Sequence, residues 1–562
     1  MFRKSSKEPQ LDLFGNTSSM LNQGASRKFN DPGHWHNQFR QQVVDRIDED
    51  PYNVLFDQTT GAPNASIRLL VGMMILKEAF GWSDSQLFEH CQFNLLTRSA
   101  LGLFNINDTL PSESTYYLLR KRIYEHRKQG GEDLLEQTFS HITHQQVKQF
   151  EVNGRHIRMD SKLIGSNIAY FTRYEVIHQT LSMFYKTLNK KARSKLSASH
   201  RQQLQNIVKE ESGKAVYRST REEIQTRSQD LGAVIYRLLN AFTDQKGQAY
   251  ELLQRVFDEQ YKVTQDYQVQ LRSREEISSS SVQSPHDPDS TYRHKADQKV
   301  KGYSVNITET TSDESLNLIT NVLVDPANVN DCTFVQPAIK ATRQVTGQQV
   351  EKACLDGGYQ SPDNDPFCQD IDMVFTGIQG GQARYDLQMT DRGLMVTDTQ
   401  TGQCMQASLA KKNKRSKEDR WFIQTAEGRY YFNQQAIRAA HLRRALKQRS
   451  AEEKRKRNNV EASIFQLCYP LRNNKSKYRR LIKQRIWAYC RCLWINFIRI
   501  LKYSKHTCQR TVNALEIPGK IIDFRPFFSI RSHFCRKVVP TFPNQTILSF
   551  LMLFSIFLKC PF

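Results

Sequence analysis

The sequence contains no run of about 18 apolar residues, the length a membrane-spanning helix needs. Its longest candidate, Ile547 to Leu558 in TILSFLMLFSIFLK, is too short to span comfortably, so no membrane partner is expected. The opening MFRKSSKEPQLDLFGN lacks the apolar core that follows the basic residues of a secretory signal. Paired cysteine spacing is missing too: the eleven cysteines are odd in number and scattered, which argues against a disulfide framework and fits a reducing compartment. Cys490 and Cys492 have no second Cys or His pair nearby, whereas a structural zinc site needs four ligands. Acids are in deficit, with 57 Asp and Glu against 80 Lys and Arg, a net charge of +23. A surface field of that sign favours a polyanion, and without a membrane segment it points to nucleic acid.

With 562 residues, 39% of them hydrophobic, the chain is long enough for several domains. Residues 1–30 are polar, rich in Ser, Asn and Gln, and expected to be disordered. From 31 to 150 the pattern is helical. IRLLVGMMILKEAFGWSDSQLFEHC reads as an apolar helix, a turn in which Ser83 can cap, and a second helix, an arrangement like a helix-turn-helix. LPSESTYYLLRKRIYEH opens a further helix carrying Arg120, Lys121 and Arg122. This segment is expected to be a DNA-binding domain, although a packing domain with a solvated basic face has the same pattern.

Residues 151–505 read as an α/β domain with two insertions. RHIRMDSKLIGSN is a strand by its period of two, Ile157 and Met159 on one face, His156 and Arg158 on the other, with Asp160 in it or at its end. Helical segments rich in Lys, Arg, Gln and Glu fill about 170–290. Strands then resume: KVKGYSVNITET and LNLITNVLVDP pair antiparallel, CTFVQPAIKATRQV is a helix, EKACLDGGYQ is a short strand cut off at Asp356, and DIDMVFTGIQGG is another. The order predicts three antiparallel strands followed by a crossover to a further parallel strand, with helices packed on the sheet. Short strands at about 382–435 form a β-rich insertion. A long helical pattern from Gln435 follows, stopped at Pro470 and carrying Glu461 on its last apolar stretch. Residues 506–562 show no clear period.

Three acids stand out by context: Asp160 on the first strand, Asp356 at the C-terminal end of a later one, and Glu461 on the helix after the sheet. Ligands of α/β sheets gather at strand ends. Three carboxylates meeting there repel one another unless cations neutralise them, and hard oxygen ligands suit two Mg²⁺ or Mn²⁺ ions, which act on phosphodiesters. Each acid also has an ordinary explanation. Asp160 can cap a turn before Ser161, Asp356 suits a tight turn before Gly357-Gly358, and Glu461 can pair with Arg457 or Arg455 on its own helix. Asp287 and Asp297, in a polar loop, and Asp325, before Pro326, are rival acids of lower rank. Trp82, Trp421, Trp487 and Trp494 read as core residues. The basic runs KKNKRSKEDR, EKRKRNN and NNKSKYRRLIKQR surround the Glu461 segment and add salt-dependent affinity for phosphates.

In that order, RMDSKLIGSNIA, GYSVNITET, CLDGGYQS and RNNVEASIFQL resemble bacterial insertion-sequence transposases of the DDE type, as does the helical segment containing IRLLVGMMILKEAFGWSDSQLFEHC. The resemblance implies an α/β fold with an RNase H-like mixed sheet core, a helical N-terminal domain, and an insertion after the first Asp. It implies DNA cleavage and strand transfer with two Mg²⁺ or Mn²⁺ ions held by Asp160, Asp356 and Glu461. The implied partners are double-stranded DNA, both the element's terminal inverted repeats and the target, and a second copy of the chain. The implied location is the bacterial cytoplasm at the nucleoid. Around the glutamate, related transposases carry Tyr-x2-Arg-x3-Glu-x6-Lys. Here Arg457 and Glu461 fit, while Lys454 and Cys468 stand at the Tyr and Lys positions. Arg457, Lys454 and Lys475 are therefore the expected contacts to DNA phosphate.

Overall fold

A computed structural model of the protein describes residues 1–5, 15–244, 247–295, 298–313, 315–378, 383–410 and 419–515. Asp297, Gly380-Gly381, most of KKNKRSKEDR, the side chain of Lys454 and the apolar run Ile547 to Leu558 lie outside the described residues. Among the described residues no helix is long and apolar enough to cross a membrane.

The central sheet is built from β1 (His156–Gly165), β2 (Thr291–Lys295), β3 (Gln298–Thr310), β4 (Ile319–Pro326), β5 (Lys352–Leu355) and β6 (Asp372–Phe375). β1 runs antiparallel to β3 along its whole length, Ile157 opposite Thr310 and Gly165 opposite Gly302. The far edge of β3 is shared by β2, paired near residues 298–302, and β4, paired from Tyr303 onward, both antiparallel. On its other edge β1 pairs parallel with β5, and β5 with β6. This is the expected order of three antiparallel strands, a helical crossover (Val335–Thr346) and then parallel strands. Asp325 ends β4 on Arg485 at 3.1 Å.

Alternation along β1 divides two cores. Ile157 and Met159 pack with Val335, Ile339, Ala353 and Leu355 on one side. Ile164, with Tyr303, Val305 and Ile307 of β3, joins the core of the N-terminal helices and of the Leu481–Leu515 helix on the other. The N-terminal helices and the sheet thus share one hydrophobic interior. Within it the Ile67–Phe80 helix is buried over most of its length, ends at Gly81 in the left-handed region (φ 69°), and is followed by a Ser83–Gln86 capping box that starts the Asp84–Phe93 helix. Trp487 is buried, and Trp82, Trp421 and Trp494 are half-buried against the cores.

Residues Thr17–Met20 and Gln23–Phe29 are helical where composition suggested disorder; Asn16 and Asn22 cap them by accepting backbone N–H groups. Both insertions carry cores of their own. The helical one packs around Leu181, Ile235 and Leu253 and ends in a hairpin of Tyr261–Val263 with Val269–Leu271. The β-rich one closes two three-stranded sheets over Leu394, Val396 and Phe432. The long helical pattern before Pro470 is broken into Gln434–Gln448, Ala451–Lys456 and Asn459–Cys468. Ser450 and Glu453 form a capping box that restarts the chain as a new helix, while Lys352 pairs with Glu453 and Arg449 with Asp372. Those pairs fasten the break to β5 and β6. From Ser504 the described end of the Leu481–Leu515 helix belongs to a second unit.

Candidate carboxylate site

Asp160 sits in the middle of β1, not at its end, on the face opposite Ile157 and Met159. The parallel register pairs Ile157 with Ala353 and Arg158 with Cys354; continued by two residues, it sets Asp160 level with Asp356, the first residue beyond β5. Neighbouring strands are about 4.8 Å apart, and the two carboxylates interact. Burial pushes the Asp160 carboxyl above its ordinary range and Asp356 adds to the rise, against Arg457 and the Ser161 N–H, which favour the charged form.

Asp356 caps the turn Gly357–Tyr359, its Oδ1 accepting from the Gly357 N–H at 2.7 Å. The turn needs glycine there, because a Cβ on Gly357 would run into the Gly377 carbonyl. Beneath it Tyr359 is buried and donates to Asn306 Oδ1 of β3 at 2.6 Å. Burial, then the charges of Asp160 and Asp331, push its hydroxyl well up.

Glu461 lies in the first turn of the Asn459–Cys468 helix. It reaches Asp160 through Arg457, whose Nη2 donates to Asp160 Oδ2 at 2.8 Å and whose Nη1 donates to Glu461 Oε1 at 3.2 Å. The Arg457 side chain is 15% exposed and that of Glu461 60%. The expected helical pair of Arg457 with Glu461 therefore forms, and it extends to a strand acid as well. Nε of Arg457 is buried without a hydrogen-bond partner among the described residues.

What holds Arg457 in place is a network that the sequence does not advertise. Arg158, on the Asp160 face of β1, donates from Nε to Glu309 of β3 at 2.5 Å and from Nη1 to the Lys456 carbonyl at 3.2 Å. Glu309 is fully buried and also receives Arg499 at 2.7 Å and the Ser463 hydroxyl at 2.6 Å. Burial by itself raises a carboxyl, but Arg499 and Arg158 outweigh it and hold Glu309 below its ordinary range. The carbonyl end of the same helix is fixed by buried Arg491, which donates to Leu467 at 3.3 Å and, on the Ile67–Phe80 helix, to Glu78 at 3.0 Å and Ala79 at 2.9 Å.

The other residues singled out in the sequence have partners or surroundings of their own. Lys475 is engaged within the chain, Nζ on the Ile168 carbonyl at 2.6 Å and 5.6 Å from the Tyr170 ring centroid. Cys468 is half-buried, and burial pushes its thiol up to about 11. Asp287 is buried and takes the Ser166 and Tyr303 hydroxyls and the Arg480 N–H, a structural acid. Cys490 and Cys492 are buried thiols. Among the described residues no group of three or more His, Cys, Asp or Glu stands close enough to hold a metal ion as arranged. Asp160 and Asp356 come together, and Glu461 is joined to Asp160 by the Arg457 guanidinium.

Comparison with curated proteins returns no match. Among solved structures, a piggyBac transposase synaptic complex with hairpin DNA, determined by cryo-EM, aligns over 94% of this chain and 88% of that one. Identity there is 8% and the TM-score 0.27, too low to establish a shared fold. Residues 27–122, the helical segment before the sheet, match the family model described as Transposase domain (DUF772), and over that segment the chain is similar to transposases.

Proposed function

We propose that the chain is a DNA transposase of the DDE type, with an RNase H-like core whose Asp160, Asp356 and Glu461 carry DNA cleavage and strand transfer at the ends of an insertion sequence. The observation that carries this reading is the placement of Asp160 level with Asp356 on adjacent parallel strands, with Arg457 linking Asp160 to Glu461. Three antiparallel strands followed by parallel ones support the RNase H-like reading, and the transposase-domain match and the charge of +23 support the DNA partner.

The donor set suits a hard divalent cation: carboxylates only, two of them close enough that Asp356 disfavours the ionised form of Asp160. Asp160, Asp356 and Glu461 would hold Mg²⁺ or Mn²⁺, two ions in this reading. When bound, such ions activate an oxygen nucleophile and stabilise the leaving oxygen of a phosphodiester. The chain's own residues do the positioning. Arg457 orients Asp160, and its unpartnered Nε is a donor for a phosphate oxygen. The Gly357 N–H fixes the Asp356 carboxylate. Terminal inverted repeats and target duplex are the partners. Bringing two element ends together calls for at least a dimer on DNA, in the cytoplasm at the nucleoid.

A non-catalytic DNA-binding derivative of such an enzyme is the second reading. It is favoured by the Arg457 guanidinium standing between Asp160 and a largely exposed Glu461. Mn²⁺ titration followed by electron paramagnetic resonance, with and without a duplex carrying the element end, separates the two. The enzyme binds Mn²⁺ and loses it on Asp160→Asn or Asp356→Asn. The derivative binds the duplex with no Mn²⁺ dependence.

A further inference from the structure

An open cleft of about 560 Å³ lies between the Glu113–Lys128 helix and the segment that leads into the Leu481–Leu515 helix. Its size is that of a small-molecule or single-nucleotide site, too small for a duplex. Arg120, Arg479, Arg480 and Lys483 line it together with Tyr117 and Tyr124. Lys483 has no carboxylate partner among the described residues; its amine sits 5.6 Å from the Tyr124 ring centroid. Burial, then Arg120, Arg480 and Arg479, push that amine below its ordinary range, so the charges acting on it are all positive. Arg480 and Arg120 are held by single acids, Asp289 at 3.6 Å and Asp84 at 3.4 Å. Two acids line the cleft. Glu78 is buried, takes the Tyr478 hydroxyl and acts on Arg120, and Glu125 is the other. Arg480 is also held at φ 76°, a left-handed conformation unusual for a side chain of its size. Tyr117 is 40% exposed on the same wall.

We propose that this cleft binds one unpaired nucleotide of a DNA strand, its phosphate against Lys483 and Arg480 and its base against the tyrosine wall. Lys483, which has no carboxylate partner among the described residues, calls for an anion, and the tyrosines beside it, Tyr117 exposed and Tyr124 half-buried, call for a flat π-face; a nucleotide supplies both. The cleft is connected to the carboxylate site. Arg479 donates to the Asn167 carbonyl at 2.7 Å, and the Asn167 N–H donates to Tyr478 at 3.3 Å, just past the end of β1. From Asp160 to Gly165 the strand covers about 16 Å, roughly five steps of a stacked strand at about 3.4 Å each. The inference rests on the transposase reading for its choice of DNA, and it adds a site for a strand displaced from pairing near the cut.

The test uses the full chain and a short fluorescent oligodeoxythymidylate, with the matching duplex as a second probe, read by anisotropy. Lys483→Gln and Tyr124→Leu are expected to weaken the single strand about tenfold each, and Tyr124→Leu, which removes no charge, to leave duplex affinity within about twofold. Thermal unfolding of each variant shows that it is folded. Photocrosslinking of a bromodeoxyuridine oligonucleotide is expected to label Tyr117 or Tyr124. Unchanged single-strand affinity in both folded variants, or crosslinks confined to other regions, overturns the proposal. A chain that captures the single strand through this cleft but neither binds nor cuts element ends keeps the cleft and refutes the transposase reading.

Discussion

Arg457 donates to Asp160 at 2.8 Å, joining a residue of the helix segment beyond the β-rich insertion to the centre of the first strand. The pairing only partly offsets the cost of a buried charge, because burial and Asp356 still leave the Asp160 carboxyl above its ordinary range. Ionised Asp160 is therefore a net cost to the folded state at neutral pH. In EDTA at pH 7, Asp160→Asn is expected to melt a few degrees above the parent by calorimetry while losing activity, the usual exchange of stability for function. A lower melting temperature would mean that the Arg457 pairing outweighs desolvation.

Glu309 is the opposite case, an acid held below its ordinary range by Arg499 and Arg158 in spite of full burial. Its stabilisation is complete above the ordinary glutamate value of 4.5 and is lost as pH falls through the depressed folded value. Glu309→Gln leaves two guanidiniums facing a neutral amide and is expected to cost about 3–5 kcal/mol at pH 7 by urea unfolding. The deficit should shrink as the pH is lowered below 4.5. A deficit independent of pH would remove the charge network from the account.

Gly357 packs against the Gly377 carbonyl with no room for a Cβ. Gly357→Ala is expected to shift the turn that holds Asp356 and to lower the rate of DNA cleavage at least about a hundredfold, since small misplacements at reacting centres carry penalties of that size. Overall unfolding should change by about 1–3 kcal/mol. Full activity in this variant would show that the Asp356 turn is not part of the site.

Lys475 is expected to behave as a structural residue, because its amine is committed to the Ile168 carbonyl after β1. Lys475→Ala should lower the melting temperature without changing the slope of log affinity for duplex DNA against log salt. A slope reduced by about one would place it on a phosphate instead.

The sheet was legible in the sequence because its signals are local. Alternation around Asp160, the Asp356-Gly-Gly break and the Asp325-Pro326 end each mark a strand within a few residues. The site is only half legible in this way. Glu309 continues the Tyr303, Val305 and Ile307 face of its strand, where alternation calls for an apolar residue, and the partners that explain a buried acid there, Arg158 and Arg499, lie 151 and 190 residues away. The Leu481–Leu515 helix is similarly disguised. Its interior arginines look like a solvated face until Arg491 and Arg485 are seen donating to carbonyls of neighbouring elements. The break at Arg449–Ser450 escapes a periodicity reading because it falls in the charged stretch KQRSAEEKRKRNN, which has almost no apolar spacing to interrupt; only the Ser450–Glu453 capping box marks it.

The most direct test of the central claim is cleavage and joining of a labelled duplex bearing the flanking terminal repeats, with Mg²⁺ or with EDTA, for the parent and for Asp160→Ala, Asp356→Ala and Glu461→Ala. The account predicts Mg²⁺-dependent joining that each single substitution abolishes. Binding of the repeats without cleavage under Mg²⁺ or Mn²⁺, or joining that survives any one of the three changes, would contradict it.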